Sequence, residues 1–397
     1  MKEKFRDLID QRALMDFAQR LVRAPSVNDP TNQGCEEIVA QIVLQEMRSF
    51  GWEPEVDVIS EGRPNVIACI THGLPGRTLL FEGHSDVVSP GPTSAWTFDP
   101  FAGDIVNGEL RGRGSADMKG GVAAMIYAAR ALELSGPFPG TLVVAVLVDE
   151  EEMMRGVKDF VARGHAKGID AAIVCEPEGG EVCDCAKGAI RVVGRCVGKM
   201  AHGSMPEKGL NPITALAEMV GTLEEIEQEM NDRYGEHAVL GRTTLTPTVF
   251  EAGELVQLNL IPAQATLGID CRTVPGVDHD SLLARLRESL TAIATVHKVK
   301  LELDVREDRP PTVTLREEPI MQAVVAAHEE VVGSPATFGG VPGTTDGTIL
   351  WRDAGLPVVV YGPGGKWIAH QADEVALVSE IIDAALTYAV AASLFLN

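Results

Sequence analysis

The chain has 397 residues, too many for one small core, so two domains are the natural expectation. It is 45% hydrophobic and 23% charged with a formal net charge of -23, a composition that fits a globular protein and a charge that excludes nucleic-acid backbones and anionic membranes as ready partners. Carboxylates are so abundant that an acidic cluster needs a specific argument before it counts as a site.

The N-terminal "MKEKFRDLIDQRALMDFAQRLV" reads as a charged amphipathic helix without the apolar segment of a signal peptide. No window approaches the ~18 uninterrupted apolar residues of a membrane span, and the cytoplasm is the expected location. From Leu79 to Pro177 strand and helix patterns alternate: "TLLFEGHSD", the helix "MKGGVAAMIYAARALEL", "TLVVAVLVDEE", a helical segment near Val157, and "AAIVCEP". Apolar strands alternating with helices indicate a mostly parallel sheet covered on both faces. "LPVVVYGPG" and the helix "EVALVSEIIDAALTYAVAASLFL" continue that pattern at the C-terminus.

The middle of the chain differs. After "AIRVVGRCVG" comes an amphipathic helix with Ile213, Leu216, Val220, Leu223 and Met230 on one face. Strands are expected near Thr244 to Phe250, Leu255 to Leu260 and Ala265 to Cys271. A second helix, N-capped by Asp280, carries Leu283, Leu286, Leu290 and Ile293 and leads into the strand "HKVKLELDV". The order βαββαβ predicts a small α+β domain inserted in the larger one, with residues 1–186 and 308–397 forming the larger domain and 187–307 the insert. Seven cysteines, at 35, 69, 175, 183, 185, 196 and 271, are odd in number and lack a framework spacing, which predicts reduced thiols. Cys183 and Cys185 lack the second pair that a zinc site needs, so their expected role is structural.

Open α/β sheets place their sites at the C-terminal ends of strands, and here those ends carry metal-ligand residue types. "GHSD" offers His84 and, two residues on and on the same side, Asp86, which suits a carboxylate holding an imidazole in one tautomer. "GRGSADMKGG" puts Asp117 ahead of a helix. That Gly-rich turn could cradle a phosphate, but it matches neither nucleotide fingerprint, and an Asp stands where the phosphate would meet the helix. Glu150 and Glu151 end the next strand, Glu176 follows the next, and His370 follows the last. Singly, each is more readily a solvated or structural side chain. Together, two histidines and three carboxylates, one of them shared, fit two divalent ions about 3.5–4 Å apart, with one Glu left as a base.

With "GHSDVV", "WTFDPF", "GRGSADMKGG", "VDEE", "CEP", "MAHGSMPEKGLNP", "NLIPAQATLGIDCRTVPG" and "AHQADE", the sequence resembles the M20 metallopeptidases and deacylases over nearly its whole length. The resemblance implies a zinc-peptidase-like α/β catalytic domain, a mostly parallel mixed sheet flanked by helices, with an inserted ferredoxin-like α+β lid or dimerisation domain. It implies that His84, Asp117 and Glu176 hold one ion and Asp117, Glu151 and His370 the other, the pair being zinc, cobalt or manganese. Glu150 matches the general base, Asp86 the carboxylate behind the first ligand, and the Asp117 to Met118 peptide a strained cis bond. His202 matches a histidine that reaches the partner subunit's site and stabilises the oxyanion. Arg272 matches an arginine that binds the substrate carboxylate, and Asn259 a polar contact on the lid side. The loop "GGVPGTTDGTILW" lines the substrate pocket in relatives through positions matching Gly343, Thr344 and Thr345.

Two departures stand out: Gly347 replaces the usual small Ala, and Ser89 takes the place of a proline. They leave the metals alone and open the choice of substrate. The expected activity is amide C–N hydrolysis of a small carboxylate-bearing substrate by metal-activated water, in a homodimer. The alternatives are a C–N hydrolase of a non-peptide substrate, such as an aryl amine or carbamoyl compound, and a catalytically silent binding protein. The silent protein is disfavoured because every ligand and the base are present.

Overall fold

A computed structural model describes residues 1–28 and 36–397; Cys35 lies outside them. The chain forms two compact units, one of Met1–Asp184, Val313–Gly339 and Thr345–Asn397, the other of Cys185–Thr312 and Gly340–Thr344. The divisions fall at 184/185 and 312/313, against 186/187 and 307/308 expected, and a five-residue segment of the C-terminal part joins the inserted unit.

The first unit is built on a mixed sheet. Its spatial order is Glu55–Ser60, Arg63–Thr71, Pro139–Leu147, Leu74–His84, Ala171–Val174, Val358–Val360, Val182–Ala186 and Thr312–Val313, with Phe338–Val341 also pairing with Val182–Ala186. The four central strands, from Pro139–Leu147 to Val358–Val360, are mutually parallel. The strands next to them on either side, Arg63–Thr71 and Val182–Ala186, pair with them antiparallel. Alternation of buried and exposed residues is absent from the centre because both faces are covered: Val143, Val144, Ala145, Val146 and Leu147 are all buried. Four parallel strands end at one edge, so the residues after them share one side of the unit.

The helix Val378–Leu396 is long and apolar enough by length and composition to cross a membrane, with mean hydropathy 1.5, but 61% of it is buried within the protein. It packs against the helices Gly120–Leu134 and Pro319–Val332, and Tyr388 meets Phe81 of the central sheet at 5.6 Å between rings. Core packing explains its hydrophobicity.

The second unit has the order βαββαβ: Gly188–Val197, Pro212–Tyr234, Thr244–Ala252, Gln264–Thr273, His279–Val296 and Lys300–Arg309. Its sheet runs Thr244–Ala252, Gln264–Thr273, Gly188–Val197, Lys300–Arg309, all antiparallel. This ferredoxin-like arrangement buries Leu216, Met219, Leu223 and Ile226 of one helix with Leu282, Leu286 and Leu290 of the other.

Four local expectations are corrected. The N-terminal helix is two, Lys2–Leu8 and Gln11–Arg23, because Asp10 accepts the main-chain N–H groups of Arg12 and Ala13 and starts a new helix. Asp278, not Asp280, caps His279–Val296, accepting from the Ser281 N–H, while Asp280 lies in the first turn. No strand spans 255–260: only Leu260–Ile261 is extended, and Leu255, Val256 and Leu258 are 91%, 88% and 87% exposed. The C-terminal helix begins at Val378, since Val375–Leu377 pairs with Glu109–Arg111 instead. Among the described residues every cysteine is a free thiol, and Cys183 Sγ donates to Glu178 at 3.1 Å.

Candidate metal centre

His84 is the last residue of its strand, level with Leu147 on one neighbour. The chain beyond Leu147 therefore delivers Glu150 and Glu151 beside it, and the chain beyond Val174 delivers Glu176. Asp117 sits in the turn Ser115–Lys119, where the Asp117–Met118 peptide is cis. His370 lies on the loop that follows Val358–Val360.

These residues converge. His84 Nε2 is 3.2 Å from Asp117 Oδ1 and 3.6 Å from Glu176 Oε1. His370 Nε2 is 3.1 Å from both Asp117 Oδ2 and Glu151 Oε2. Each carboxylate oxygen of Asp117 thus faces a different histidine. In each of the sets His84, Asp117, Glu176 and Asp117, Glu151, His370, one donor atom per residue lies within 4.8 Å of the others.

The carboxylate of Asp86 supports the floor of this cluster. It accepts the main-chain N–H groups of Glu150 and Glu151, each at 3.2 Å, and the Asn28 amide at 2.7 Å. His84 Nδ1 meets the main-chain oxygen of Asp86 at 3.0 Å and its carboxylate only at 3.6 Å, so the tautomer is set by a carbonyl and the carboxylate adds charge. Asp149, the first acid of "VDEEE", is wholly buried and anchors the turn through Arg63, Arg155 and Asn28, with a left-handed φ of 65°.

Burial and crowding set the acidities. Burial pushes Glu150 well above the usual carboxylate range against the pull of His84. Burial and the Asp117 charge push Glu176 up to about 7 and also raise Glu151. Asp117 goes down, since the two histidines outweigh its burial. Burial would lower His84, but Glu176, Asp117 and Asp86 hold it well above its ordinary value. Hydrogen bonds to Asp117 and Glu151 raise His370 to about 11. A centre that draws protons onto both imidazoles attracts positive charge.

The remaining expected residues have the following surroundings. His202, exposed on Ala201–His202, shares a hydrogen bond with Ser204 Oγ at 2.8 Å. Asn259 is exposed, and its main-chain oxygen takes the Gly203 N–H at 2.7 Å. Arg272 pairs with Asp270, Nε to Oδ1 at 2.6 Å, and a Cβ at Gly343 would stand 4.0 Å from its Nη1. Thr344 Oγ1 takes Arg309 Nη1 at 3.2 Å. These five belong to the second unit. Thr345 belongs to the first, where it caps Asp346–Ala354 by accepting the Gly347 N–H, so its hydroxyl has a structural use. A Cβ at Gly347 would come within 3.0 Å of Thr345 Oγ1 and Val358 Cγ1. An alanine at Gly347 would therefore crowd Thr345 and Val358.

The phosphate-cradle alternative fails on geometry. The N–H groups of Gly114, Ala116 and Asp117 all point to one internal acceptor, Glu374 Oε1, at 3.0, 3.0 and 3.1 Å. Glu374 lies in the quoted "AHQADE", and its position four residues after His370 is the only signal in the sequence that marks it. Glu82 also escapes sequence reasoning, although it is two residues before His84 and on the same side of the strand. Glu82 and Asp346 are each 1% exposed, and among the described residues none of their carboxylate oxygens has a hydrogen-bond donor. Burial and the Glu176 charge push Glu82 up to about 8.

The family model for peptidase family M20/M25/M40 matches residues 80–393. The chain belongs to this family. It is accordingly a metal-dependent hydrolase of C–N bonds. A succinyl-diaminopimelate desuccinylase from a Methylobacterium species is 31% identical over 377 residues, covering 92% of this chain and 91% of that protein. An M20 metallo-carboxypeptidase from Sulfolobus solfataricus superposes with a TM-score of 0.79 at 20% identity, over 97% of this chain and 99% of that one. A dinuclear metal-binding M20 peptidase from Bacillus subtilis superposes with a TM-score of 0.73 at 17% identity, over 97% and 98%. The M20 protein described here offers nitrogen and oxygen donors without sulfur, a shared carboxylate and raised histidines, and that donor set fits a pair of divalent ions.

Proposed function

We propose that this M20 protein hydrolyses an amide in a small carboxylate-bearing substrate, as a deacylase or dipeptidase, with two divalent ions per chain. Zinc is favoured over cobalt or manganese by the histidine and carboxylate donors. The observation that carries the reading is the shared Asp117, whose two oxygens each lie near a separate histidine. His84, Asp117 and Glu176 would hold one ion, and Asp117, Glu151 and His370 the other. When bound, the ions supply Lewis acidity to the scissile carbonyl and to the attacking water.

The rest is work for side chains. Glu150, buried and with a raised proton affinity, accepts a proton from the attacking water and returns it to the leaving nitrogen. Asp86 fixes the main chain of Glu150 and Glu151 and leaves both carboxylates available. In a homodimer formed through the second unit, His202 donates to the oxyanion at the partner's centre. Arg272, held by Asp270 and uncrowded at Gly343, receives a substrate carboxylate, with Asn259 and Thr344 as polar neighbours. The naming of a relative as a desuccinylase supports an N-acyl amino acid with more than one carboxylate as the substrate class. A cytoplasmic location is part of the same reading.

The test is to remove metal, restore zinc, cobalt or manganese, and assay N-succinyl and other N-acyl amino acids, dipeptides and carbamoyl compounds. Metal-dependent release of an amino acid from the N-acyl group is expected. Turnover of carbamoyl compounds alone, or of nothing, would reject the reading.

A further inference from the structure

The loop that carries His370 is held at each end by a charged side chain. At the near end Lys366 Nζ lies 2.5 Å from Glu178 Oε2 and 2.8 Å from Glu181 Oε2, on a side chain that is 13% exposed. The main chains of the two segments are also joined: Gly179 N–H donates to Gly364 O at 2.8 Å and Gly180 N–H to Gly362 O at 3.3 Å. Glu178 stands two residues beyond Glu176, so this end of the loop is fixed to the segment that bears a ligand of the first set. The ammonium group also fills the cluster of Glu178, Glu181 and Cys183, which has metal-ligand spacing of its own.

At the far end Glu374, wholly buried, gathers the N–H groups of Gly114, Ala116 and Asp117 on one oxygen and pairs with Arg113 through the other. The Arg113 guanidinium lies over the Trp96 ring. This end of the loop is therefore fixed to the turn that bears Asp117, the shared ligand.

Between the two anchors the backbone is in a conformation that it would not keep unaided. His370 has φ 64° and Asp373 φ 58°, left-handed values that a non-glycine residue keeps only where its surroundings impose them. The His370 side chain is 52% exposed, so packing does not fix its ring. Asp373 Oδ1 takes the Thr97 N–H at 2.7 Å and Ile368 packs against the core, while the two anchors hold the ends of the loop.

We propose that Lys366 and Glu374 are positioning residues that hold His370 against Asp117 and Glu151: loss of Lys366 weakens one of the two ion positions, and loss of Glu374, which also holds the Asp117 turn, weakens both. The proposal rests on the metal-centre reading above. Neither residue touches an ion or the substrate; each acts through the path of the loop. Loss of such a supporting partner typically lowers metal affinity about 10–100-fold.

The experiment uses the full-length, metal-free chain titrated with cobalt(II) alone. Absorption is read at each equivalent, and thermal unfolding of the metal-free protein is measured in parallel. The variants are Lys366→Met and Glu374→Ala, with Lys366→Arg and Glu374→Gln as conservative counterparts. In Lys366→Met one equivalent should keep the parent's affinity and spectrum while the other binds about 10–100-fold more weakly, whereas in Glu374→Ala both should weaken. Lys366→Arg keeps a cation for both glutamates, and Glu374→Gln keeps an oxygen for the three N–H groups, so both should recover most of the loss. If Glu374→Ala fails to fold, Lys366→Met carries the test, since it leaves the bonds from the Asp117 turn to Glu374 in place. Equal weakening of both equivalents in Lys366→Met, or no change in either variant, would overturn the proposal. A parent protein that binds fewer than two equivalents would instead reject the metal-centre reading, so the two failures are distinct.

Discussion

Replacing Asp86 with Asn tests whether this carboxylate supports the centre. Three N–H groups point at it: Glu150 N toward Oδ1, and Glu151 N and the Asn28 amide toward Oδ2. An asparagine replaces one oxygen with an NH2, so at least one buried donor faces another donor whichever way the amide turns. An unsatisfied buried donor costs about 1–3 kcal/mol, and the surviving bonds fall from charge-assisted to neutral strength at roughly 1 kcal/mol each. Removing a charge also relieves repulsion among the acids. That relief is the smaller effect, because, against its burial, His84 and the donors of Asn28 and Glu151 hold the Asp86 carboxyl below its ordinary range. A net loss of about 3 kcal/mol is expected. Urea unfolding of metal-loaded Asp86→Asn should show it as a lower midpoint at unchanged slope, with metal affinity down about 10–100-fold. A variant within about 0.5 kcal/mol of the parent, the ordinary range for surface changes, with unchanged affinity would refute the assignment.

Glu150→Gln should lower kcat about 10²–10⁴-fold with metal content unchanged, because only its main-chain N–H binds Asp86; kinetics and elemental analysis of one sample would decide, and near-parental turnover would exclude the base role. In the metal-free chain His370, raised to about 11 by Asp117 and Glu151, and His84, held well above its ordinary value, carry protons at neutral pH. A cation must displace them, so affinity should rise with pH, roughly tenfold per unit for each proton lost. Calorimetry in buffers of different ionisation enthalpy counts the protons, and a count of zero would contradict the sign. Phe81→Ala, removing a wholly buried ring beside Tyr388, should cost about 3–5 kcal/mol of stability while leaving metal affinity unchanged; a selective loss of metal binding would show that the two faces of the sheet are not independent.

The central strands and the βαββαβ order are readable because burial on two faces leaves an uninterrupted apolar run, whereas a helix leaves a 3.6-residue stripe. Four of the five candidate ligands are readable because they follow parallel strands that end at one edge, and Asp117 is readable from the Gly-rich turn before a helix. Leu255, Val256 and Leu258 mislead because composition alone does not say whether an apolar run is paired, and these side chains stand in the open. Asp278 and Asp280 stand two residues apart, and spacing does not resolve which side chain meets the Ser281 N–H. Glu374 meets the Asp117 N–H across 257 residues and pairs with Arg113 across 261. Lys366 reaches Glu181 across 185. Such partners carry no local pattern; only the folded sheet brings them together. Glu82 is hidden for the opposite reason, since one acid in a buried strand beside a histidine reads as an interruption until its lack of donors is seen.

The central claim is that Asp117 is shared by two ions. Metal-free parent and Asp117→Ala should be titrated with zinc, measuring ions bound per chain and the rate of N-acyl amino acid hydrolysis at each addition. The account predicts that parental activity saturates at two ions per chain and that Asp117→Ala binds both more weakly. Saturation at one ion, with Asp117→Ala weakening a single site and sparing the other, would contradict it.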